Sequence, residues 1–312
     1  MGLIAATRTV LGDAGLREEL GRLERKHAVA SALALALGAF WLSPLWGGLT
    51  TAFKTQSAWL NTTPLAPPTR LGQVTIEPWI VAWETVGPGL GNSLIMTIPA
   101  MVFSGLLGSL AAYGLTMIDW RGQVALMTTF VCAVFMPKQA ILLPLARFWS
   151  IIDLEGILAT IGYTSLPFYS SAHPNLVILI ITHTCFGISI CTLLFRGYYL
   201  SINQELIEAA RIDGANIYGI YRKIVLPLSV PMFFVVFIFQ FTSIYNEFLY
   251  ALIIVGGSDP ASGAPITLAL AELNSGMTQN WNNQMAGAFI TALPTLVVYV
   301  LFGKQFAEGV KY

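Results

Sequence analysis

Residues 176–195 read LVILIITHTCFGISICTLLF and include no Asp, Glu, Lys or Arg. A helix rises about 1.5 Å per residue, so about 20 mostly apolar residues span the hydrocarbon core of a bilayer. A helix also satisfies its own backbone hydrogen bonds, which lipid cannot do for it. This stretch therefore predicts a transmembrane helix.

Five other segments have the same apolar character, and none shows the alternation of a membrane barrel strand: 28–49, 90–118, 124–145, 230–255 and 285–302. Apolar residues make up 55% of the 312 positions and charged residues only 10%, whereas soluble domains carry about 25% charged residues. We predict an all-α, polytopic membrane helical bundle with six transmembrane helices. A cytoplasmic N-terminal segment, 1–27, is expected to precede the six-helix transmembrane domain, 28–312.

The distribution of Lys and Arg predicts the orientation. With the N-terminus inside, twelve of these residues fall on the cytoplasmic side and three outside. Such a bias is typical of cytoplasmic loops, so both termini are expected in the cytoplasm of a cell (inner) membrane protein. Lys+Arg and Asp+Glu both total 16, so charge gives no argument for a nucleic-acid partner.

The three cysteines do not predict a disulfide or a metal site. Cys132, Cys185 and Cys191 lie in apolar stretches without CxxC spacing, which favours small core residues. His183 lies two residues from Cys185, but two potential ligands without a third do not make a zinc site.

A polar segment between the fourth and fifth predicted spans carries the strongest local signals. It covers residues 196–229 and predicts a cytoplasmic helix–turn–helix. Ser201 with Gln204 three residues later fits a capping box, and Gly214 is suited to end the first helix. Asn216 can cap a second helix. The residues alone leave open whether this is a rigid docking element or an amphipathic helix on the membrane surface.

A longer pattern runs through both predicted helices. Glu208, Ala209 and Ala210 are followed after three residues by Gly214, and after nine more by Ile224-Val225-Leu226-Pro227. This pattern resembles the EAA signature of binding-protein-dependent ABC importer permeases. The chain is also similar to the shorter six-span subunit of the maltose-type carbohydrate-uptake permeases in four further stretches: Asn92-Ser93-Leu94, Asp213-Gly214-Ala215, Asn246-Glu247-Phe248-Leu249 and Met285-Ala286-Gly287.

The resemblance implies that the segment couples the permease to a separate ATPase. The residues expected to form the coupling element are Glu208, Ala209, Ala210, Asp213, Gly214, Ile224, Leu226 and Pro227. The chain has no GxxxxGK[ST] phosphate loop, so we expect no cofactor, no enzymatic activity and ATP bound by the partner. The resemblance further implies a second homologous permease in a heterodimer, a dimeric ABC ATPase and a periplasmic or lipid-anchored solute-binding protein.

Polar residues in the fifth predicted span are candidates for a solute path. Gln240, Ser243, Glu247 and Tyr250 are spaced three, four and three apart, which places them on one face of a continuous helix. Asn246 belongs to the same candidate set. The alternative is a polar face used for helix packing. An ion pair between Glu247 and Lys138, in the third span, is a further hypothesis.

Four prolines fall within predicted spans and are expected to kink them, since proline lacks the N–H that a helix interior uses. They are Pro99, Pro137, Pro144 and Pro294.

Three functions remain open from the sequence. The first is a permease subunit that translocates a mono- or oligosaccharide delivered by an external binding protein. The second is the same architecture for a polyamine or a phosphorylated polyol. The third is an ion-coupled secondary transporter or an intramembrane enzyme, which would predict inverted repeats with broken helices or a catalytic constellation at membrane depth; neither is visible in the sequence.

Overall fold

The computed structural model describes residues 2–166, 169–257, 259–273 and 280–309. Over those residues the chain is helical, and its only β-bridge joins Lys54 to Val74. The chain divides into two compact units, Met1–Ile76 and Glu77–Tyr312. The predicted all-α class is confirmed.

The first unit contains one long helix, α1 (Gly2–Ala52), and a short one, α2 (Gln56–Asn61). The part of α1 that is long and apolar enough to cross a membrane is Lys26–Ala52. Beyond it the chain folds back locally, where the Trp46 indole donates to the Leu65 carbonyl at 3.0 Å. Helix α1 runs without interruption through residues 27 and 28, so the boundary expected there stays a prediction.

The second unit contains the remaining helices, which follow one another along the chain as α3 (Glu77–Thr116), α4 (Gln123–Phe135), α5 (Lys138–Ile152), α6 (Leu154–Thr160), α7 (His173–Tyr199), α8 (Gln204–Ile212), α9 (Ile217–Ile220), α10 (Leu226–Leu228), α11 (Val230–Tyr245), α12 (Leu249–Ile254), α13 (Ile266–Glu272) and α14 (Trp281–Gly309).

Helices α3 and α7 approach closely because small residues separate them. A side chain on Gly108 of α3 would overlap the Cβ of Cys191 and lie 3.1 Å from its backbone carbon. Ser109 and Ala112, on the same helix, are fully buried. Small residues of this kind let two backbones pack in lipid, where no hydrophobic force drives helices together.

Two buried clusters form the core of this unit. The loop-side cluster joins the ends of α3 and α7 to the segment that follows them, and includes Tyr113, Phe195, Tyr199, Ile207, Val225 and Phe233. The far-side cluster joins the opposite end of α3 to α7, α12 and α13, and includes Met96, Leu176, Leu179, Tyr250 and Leu268. The unit is therefore anchored at both ends of the α3–α7 pair.

Within the described residues, four helices are long and apolar enough to cross a membrane: Lys26–Ala52, Glu77–Thr116, His173–Tyr199 and Trp281–Phe306. Two bent helix pairs bring the number of candidate spans to at most six. Each of the four corresponds to a span predicted from the sequence. The bent pair Gln123–Phe135 with Lys138–Thr160 covers the span predicted at 124–145, whereas the pair Ile217–Leu228 with Val230–Tyr245 bends just before the span predicted at 230–255.

The span expected at 124–145 is not one helix. Helix α4 ends at Phe135 and α5 begins at Lys138, and the two halves of the pair Gln123–Phe135 and Lys138–Thr160 meet at 102°. Pro137 lies in the break. Proline disfavours the helical conformation of the residue before it, and Met136 is extended, with φ −70° and ψ 125°.

The span expected at 230–255 is also broken. Helix α11 ends at Tyr245 and α12 starts at Leu249. The Asn246 side-chain amide donates to the Thr242 carbonyl at 2.9 Å, and the Glu247 carboxylate accepts from the first N–H groups of α12. Both side chains thus end one helix and start the next, so the prediction of a single helical face from 240 to 250 was wrong.

The other prolines expected to kink spans lie inside uninterrupted helices. Pro99 is in α3, Pro144 in α5 and Pro294 in α14.

Candidate functional site

Helix α8 is capped by a residue that the sequence pattern did not single out. The Asn203 side chain accepts from the Glu205 N–H at 2.9 Å, and the helix begins at Gln204. The Ser201 hydroxyl instead donates back to the Tyr198 carbonyl at 2.7 Å. The predicted Ser201–Gln204 capping box was wrong, because Ser201 still belongs to the turn that ends α7.

The turn between α8 and α9 follows the prediction. Gly214 has φ +82°, in the left-handed region that glycine adopts without steric cost. The Ala215 N–H closes the turn on the Ala210 carbonyl at 2.9 Å. Asn216 then caps α9 by accepting from the Gly219 N–H at 2.7 Å. The helix–turn–helix geometry is confirmed.

The second helix of this segment continues through Arg222 and Lys223. After α9 the backbone forms one π-helical turn, Tyr221–Val225, and then α10. Pro227 directly follows the π-helical turn, and it has no N–H to donate to the turn before it. Turns of this rare type often mark functional sites in helices.

The eight residues expected to form the coupling element divide into two groups. Those exposed at the surface are Glu208, Ala209, Asp213, Gly214 and Pro227. Ala210, Ile224 and Leu226 are partly buried and pack against the loop-side cluster. The first group is available to a partner, whereas the second holds the segment in place.

Large apolar side chains surround the exposed group. Ile212 is 86% exposed and Tyr218 is 66% exposed, and Leu206 and Ile217 are exposed as well. Exposed apolar patches often mark protein interaction sites, and these exposed side chains favour such a role for the segment. The sequence analysis did not single out Ile212, Ile217 and Tyr218. They could have been found as apolar residues on the outward side of the predicted helix–turn–helix.

Hydrogen bonds to backbone carbonyls tie this segment to the long helices. The Arg211 guanidinium donates to the Met117 carbonyl at 2.8 Å, and the Tyr113 hydroxyl on α3 donates to the Ile217 carbonyl at 2.9 Å. Ile207, only 1% exposed, anchors α8 in the loop-side cluster. The segment is therefore fastened to α3 at two points.

A buried cluster of three hydroxyl groups adds a further connection. Ser109 of α3 lies 2.6 Å from the Tyr199 hydroxyl at the end of α7 and 2.8 Å from the Tyr221 hydroxyl in the π-helical turn. Ser109 and Tyr199 are fully buried, and Tyr221 is 8% exposed. This hydroxyl cluster links both long helices to the segment.

A second candidate site is a cavity of about 220 Å³ between α4, α5, α7 and α11. Its polar lining consists of Lys138, His183, Gln240, Ser243 and Tyr250. Three residues of the candidate solute path therefore meet here despite the broken span.

The other two path candidates do not line the cavity. Asn246 and Glu247 form the break between α11 and α12. Glu247 is buried and accepts from the N–H groups of Leu249 and Tyr250 at 3.1 and 2.8 Å. Its Oε1 also lies 3.9 Å from Lys138 Nζ, so the hypothesised ion pair is present.

Two groups in the cavity wall carry its polarity. The Lys138 side chain is 48% exposed, and its Nζ lies 5.6 Å from the centre of the Tyr250 ring, within cation–π distance. His183 is only 5% exposed, and its Nε2 has no hydrogen-bond partner among the described residues. By contrast, Gln240 is held by a 2.9 Å bond from its Nε2 to the Ser104 hydroxyl. Sequence reasoning had assigned His183 no role beyond the core.

Comparison with known proteins identifies the family. Residues 92–304 match the family described as "Binding-protein-dependent transport system inner membrane component". The "Xylose/arabinose import permease protein XacI" of Haloferax volcanii is 48% identical over 273 residues, covering 87% of this chain and 88% of the relative. The "Glucose import system permease protein GlcU" of Saccharolobus solfataricus is 29% identical over 286 residues, covering 89% and 91%.

The fold also matches a solved membrane assembly. A chain of a bacterial ABC transporter involved in the import of the acidic polysaccharide alginate superposes with a TM-score of 0.70 at 18% identity, covering 91% of this chain and 98% of that chain. At this identity the likeness concerns the fold. Together with the match over residues 92–304 and the 48% identical relative, it places this chain in the family of binding-protein-dependent transport system inner membrane components.

Proposed function

We propose that this chain is the transmembrane permease subunit of an ATP-binding-cassette importer that translocates a sugar delivered by an external binding protein. The observation that carries the sugar assignment is the 48% identity, over 87% of the chain, to a relative named for xylose/arabinose import. The chain lies in the cell (inner) membrane with both termini in the cytoplasm, as the bias of Lys and Arg favours.

Energy comes from a separate subunit in this proposal. The sequence has no phosphate loop of the GxxxxGK[ST] type, so ATP is bound and hydrolysed by a dimeric ABC ATPase. The docking surface is the exposed part of α8 and the turn after it: Glu208, Ala209, Asp213 and Gly214, with the apolar Ile212 and Tyr218 beside them.

The remaining coupling candidates act inside the chain. Ala210, Ile224 and Leu226 pack against the loop-side cluster, so they transmit force rather than touch the ATPase. When ATP closes the ATPase dimer, the docked segment moves. The hydroxyl cluster and the bond from Arg211 to the α3 end carry that movement into the spans.

Solute passes along a path shared with a second, homologous permease. The polar wall formed by Gln240, Ser243 and Tyr250 supports this role, because hydroxyl and amide groups match the hydrogen bonds of a polyhydroxy solute. Asn246 and Glu247 do not line the path themselves. They separate α11 from α12, the two helices whose residues line it. A periplasmic or lipid-anchored binding protein supplies the solute.

The competing functions are weaker. Broken spans are also a feature of secondary transporters, and this chain has two bent helix pairs. The family match favours an importer driven through a docked ATPase. A polyamine would favour a wall rich in carboxylates, whereas the polar lining of the cavity contains Lys138 and no Asp or Glu.

The test is transport by the reconstituted importer. The chain is co-purified with its partner permease and ATPase, placed in proteoliposomes and supplied with the binding protein and radiolabelled D-xylose or L-arabinose. We expect uphill uptake that requires ATP and the binding protein and that persists when ion gradients are collapsed. Uphill uptake by this chain without the ATPase, or uptake abolished by an ionophore, would contradict the proposal.

A further inference from the structure

The two broken spans meet at their breaks, and the cavity lies beside that meeting point. Lys138 is the first residue of α5, and Glu247 lies in the gap between α11 and α12. The 3.9 Å separation of their charged groups joins the two breaks. Lys138 and Tyr250 line the cavity here, and the ring of His183 on α7, which also lines it, lies 5.5 Å from the Tyr250 ring.

The mouth of this cavity faces water or a partner rather than lipid. Ser243 is exposed and Lys138 is half-exposed, and both line the cavity. An ammonium group turned toward hydrocarbon is costly, so ionisable residues within spans face a bundle interior or a water-filled path. The polar groups of this wall are therefore presented to the space through which a solute moves.

One polar side chain that lines the cavity, His183, has a ring nitrogen without a hydrogen-bond partner among the described residues. Buried polar atoms in folded proteins nearly always have a hydrogen-bond partner. His183 is more than nine-tenths buried and lines the cavity, yet its Nε2 has no partner among the described residues. This nitrogen is itself buried, so a hydroxyl group in the cavity would pair with it once the imidazole turns toward the cavity.

The Lys138–Glu247 ion pair determines which charge on a solute the cavity accepts. Glu247 lies behind the wall, 3.9 Å from the Lys138 ammonium, and balances its charge without itself lining the cavity. A solute in the cavity therefore meets hydrogen-bond donors from a locally neutral pair. A carboxylate on the solute would be attracted by Lys138 and repelled by Glu247.

We propose that this cavity is a subsite for a single uncharged sugar ring, and that the Lys138–Glu247 pair makes it reject acidic sugars. The proposal rests on the proposed function as a sugar importer. Lys138, His183 and Ser243 contact the hydroxyl groups of the sugar, and Glu247 is a positioning residue that acts through Lys138. The volume of about 220 Å³ is below the range of about 300–1,000 Å³ for drug-sized ligands, which limits the occupant to one ring.

Direct binding to the assembled permease–ATPase complex, without the binding protein, tests the subsite. The complex is placed in lipid nanodiscs and titrated with D-xylose and with D-glucuronate by saturation-transfer NMR. The variants are Lys138→Met, Glu247→Gln and the double variant. Arg147→Met is the matched control, because Arg147 is an exposed cation on the same helix and lies outside the cavity lining. Co-elution of all subunits checks that each variant has folded.

The variants are expected to change selectivity in opposite ways. The wild type binds D-xylose much more tightly than D-glucuronate, for which its binding is weak. Lys138→Met weakens D-xylose binding about tenfold, the loss expected for one hydrogen bond from a charged donor. Glu247→Gln leaves the Lys138 charge unbalanced and gains D-glucuronate binding by about tenfold over the wild type, which misfolding cannot mimic. The double variant loses that gain, and Arg147→Met binds as the wild type does.

Two results would overturn the subsite, and they are distinguishable from failure of the sugar function. If the wild type takes up D-xylose in proteoliposomes but Lys138→Met binds it normally, the subsite is wrong and the function stands. If Glu247→Gln still discriminates against D-glucuronate as the wild type does, charge selection by the pair is wrong. If the wild-type complex takes up no sugar at all, the proposed function fails first.

Discussion

Replacing Ser109 by Ala should destabilise the second unit more than replacing Tyr221 by Phe, although both remove one hydroxyl from the hydroxyl cluster. Ser109 lies between Tyr199 and Tyr221, at 2.6 and 2.8 Å from their hydroxyl groups. The Ser109→Ala change removes both contacts. The hydroxyl groups of Tyr199, fully buried, and Tyr221, 8% exposed, then both lose the partner that Ser109 gives them.

A buried hydroxyl left without a hydrogen-bond partner costs about 1–3 kcal/mol in the free energy of unfolding. Losing a hydrogen bond without leaving such a group unpaired costs about 1 kcal/mol. Ser109→Ala should therefore cost about 2 kcal/mol in the free energy of unfolding, and Tyr221→Phe about 1 kcal/mol. The double variant should cost less than Ser109→Ala alone, because only the Tyr199 hydroxyl is then stranded.

Unfolding in mixed micelles titrated with SDS measures these differences. The same variants are assayed for sugar transported per ATP hydrolysed, since a loosened connection between the docking segment and α3 lowers that ratio. Additive losses of about 3 kcal/mol in the double variant, or a Ser109→Ala variant as stable as the wild type, would refute the hydrogen-bonding account of the cluster.

Three further substitutions test the same account elsewhere. Gly214→Pro should abolish sugar-stimulated ATP hydrolysis and leave membrane insertion intact, because proline cannot adopt φ +82°; stimulation as in the wild type would count against the docking role. Asn203→Ala should lower the thermal unfolding midpoint, because it removes an N-cap that stabilises α8 by about 1 kcal/mol. Ser201→Ala should leave the midpoint unchanged, since Ser201 does not cap α8. Equal effects of the two substitutions would contradict the observed cap. Gly108→Ala should cost about 1–3 kcal/mol by overpacking, measured by the same SDS unfolding, since its Cβ meets Cys191; an unchanged stability would mean that α3 and α7 do not pack this closely.

The four straight spans and the turn at Gly214 could be predicted from the sequence because each depends on local chemistry. A run of apolar residues long enough to cross a bilayer predicts a span, and a glycine after an amphipathic stretch predicts its end. Asn216 as a cap belongs to the same class and was found in the expected place.

The break at Pro137 was expected as a proline kink, whereas the break at 246–248 could not be predicted, because it depends on side chains that hydrogen-bond to the backbone. Hydropathy treats 230–255 as continuous, yet Glu247 uses its carboxylate to start α12. Proline alone does not decide the outcome either: Pro137 lies in a break, whereas Pro99 lies inside α3. The predicted face from 240 to 250 was wrong because it assumed an unbroken helix.

The candidate site shows a similar division. Gln240, Ser243 and Tyr250 were found from their polarity at membrane depth, and they line one cavity. His183 was not, because its unpartnered nitrogen becomes visible only when the surrounding helices are placed around it.

The central claim is that the helix–turn–helix after α7 is bound by an ATPase in the cytoplasm. The most direct measurement is cross-linking in vesicles of known orientation, using Ala209→Cys in a chain whose own three cysteines, Cys132, Cys185 and Cys191, have been replaced. Ala209 is exposed on α8, and Ser57→Cys, exposed on α2 of the first unit, is the control. We predict that a short bismaleimide joins Ala209→Cys to the ATPase from the cytoplasmic side only, and never Ser57→Cys. Labelling of Ala209→Cys from the outer compartment, or an active complex in which it never reaches the ATPase, would contradict the claim.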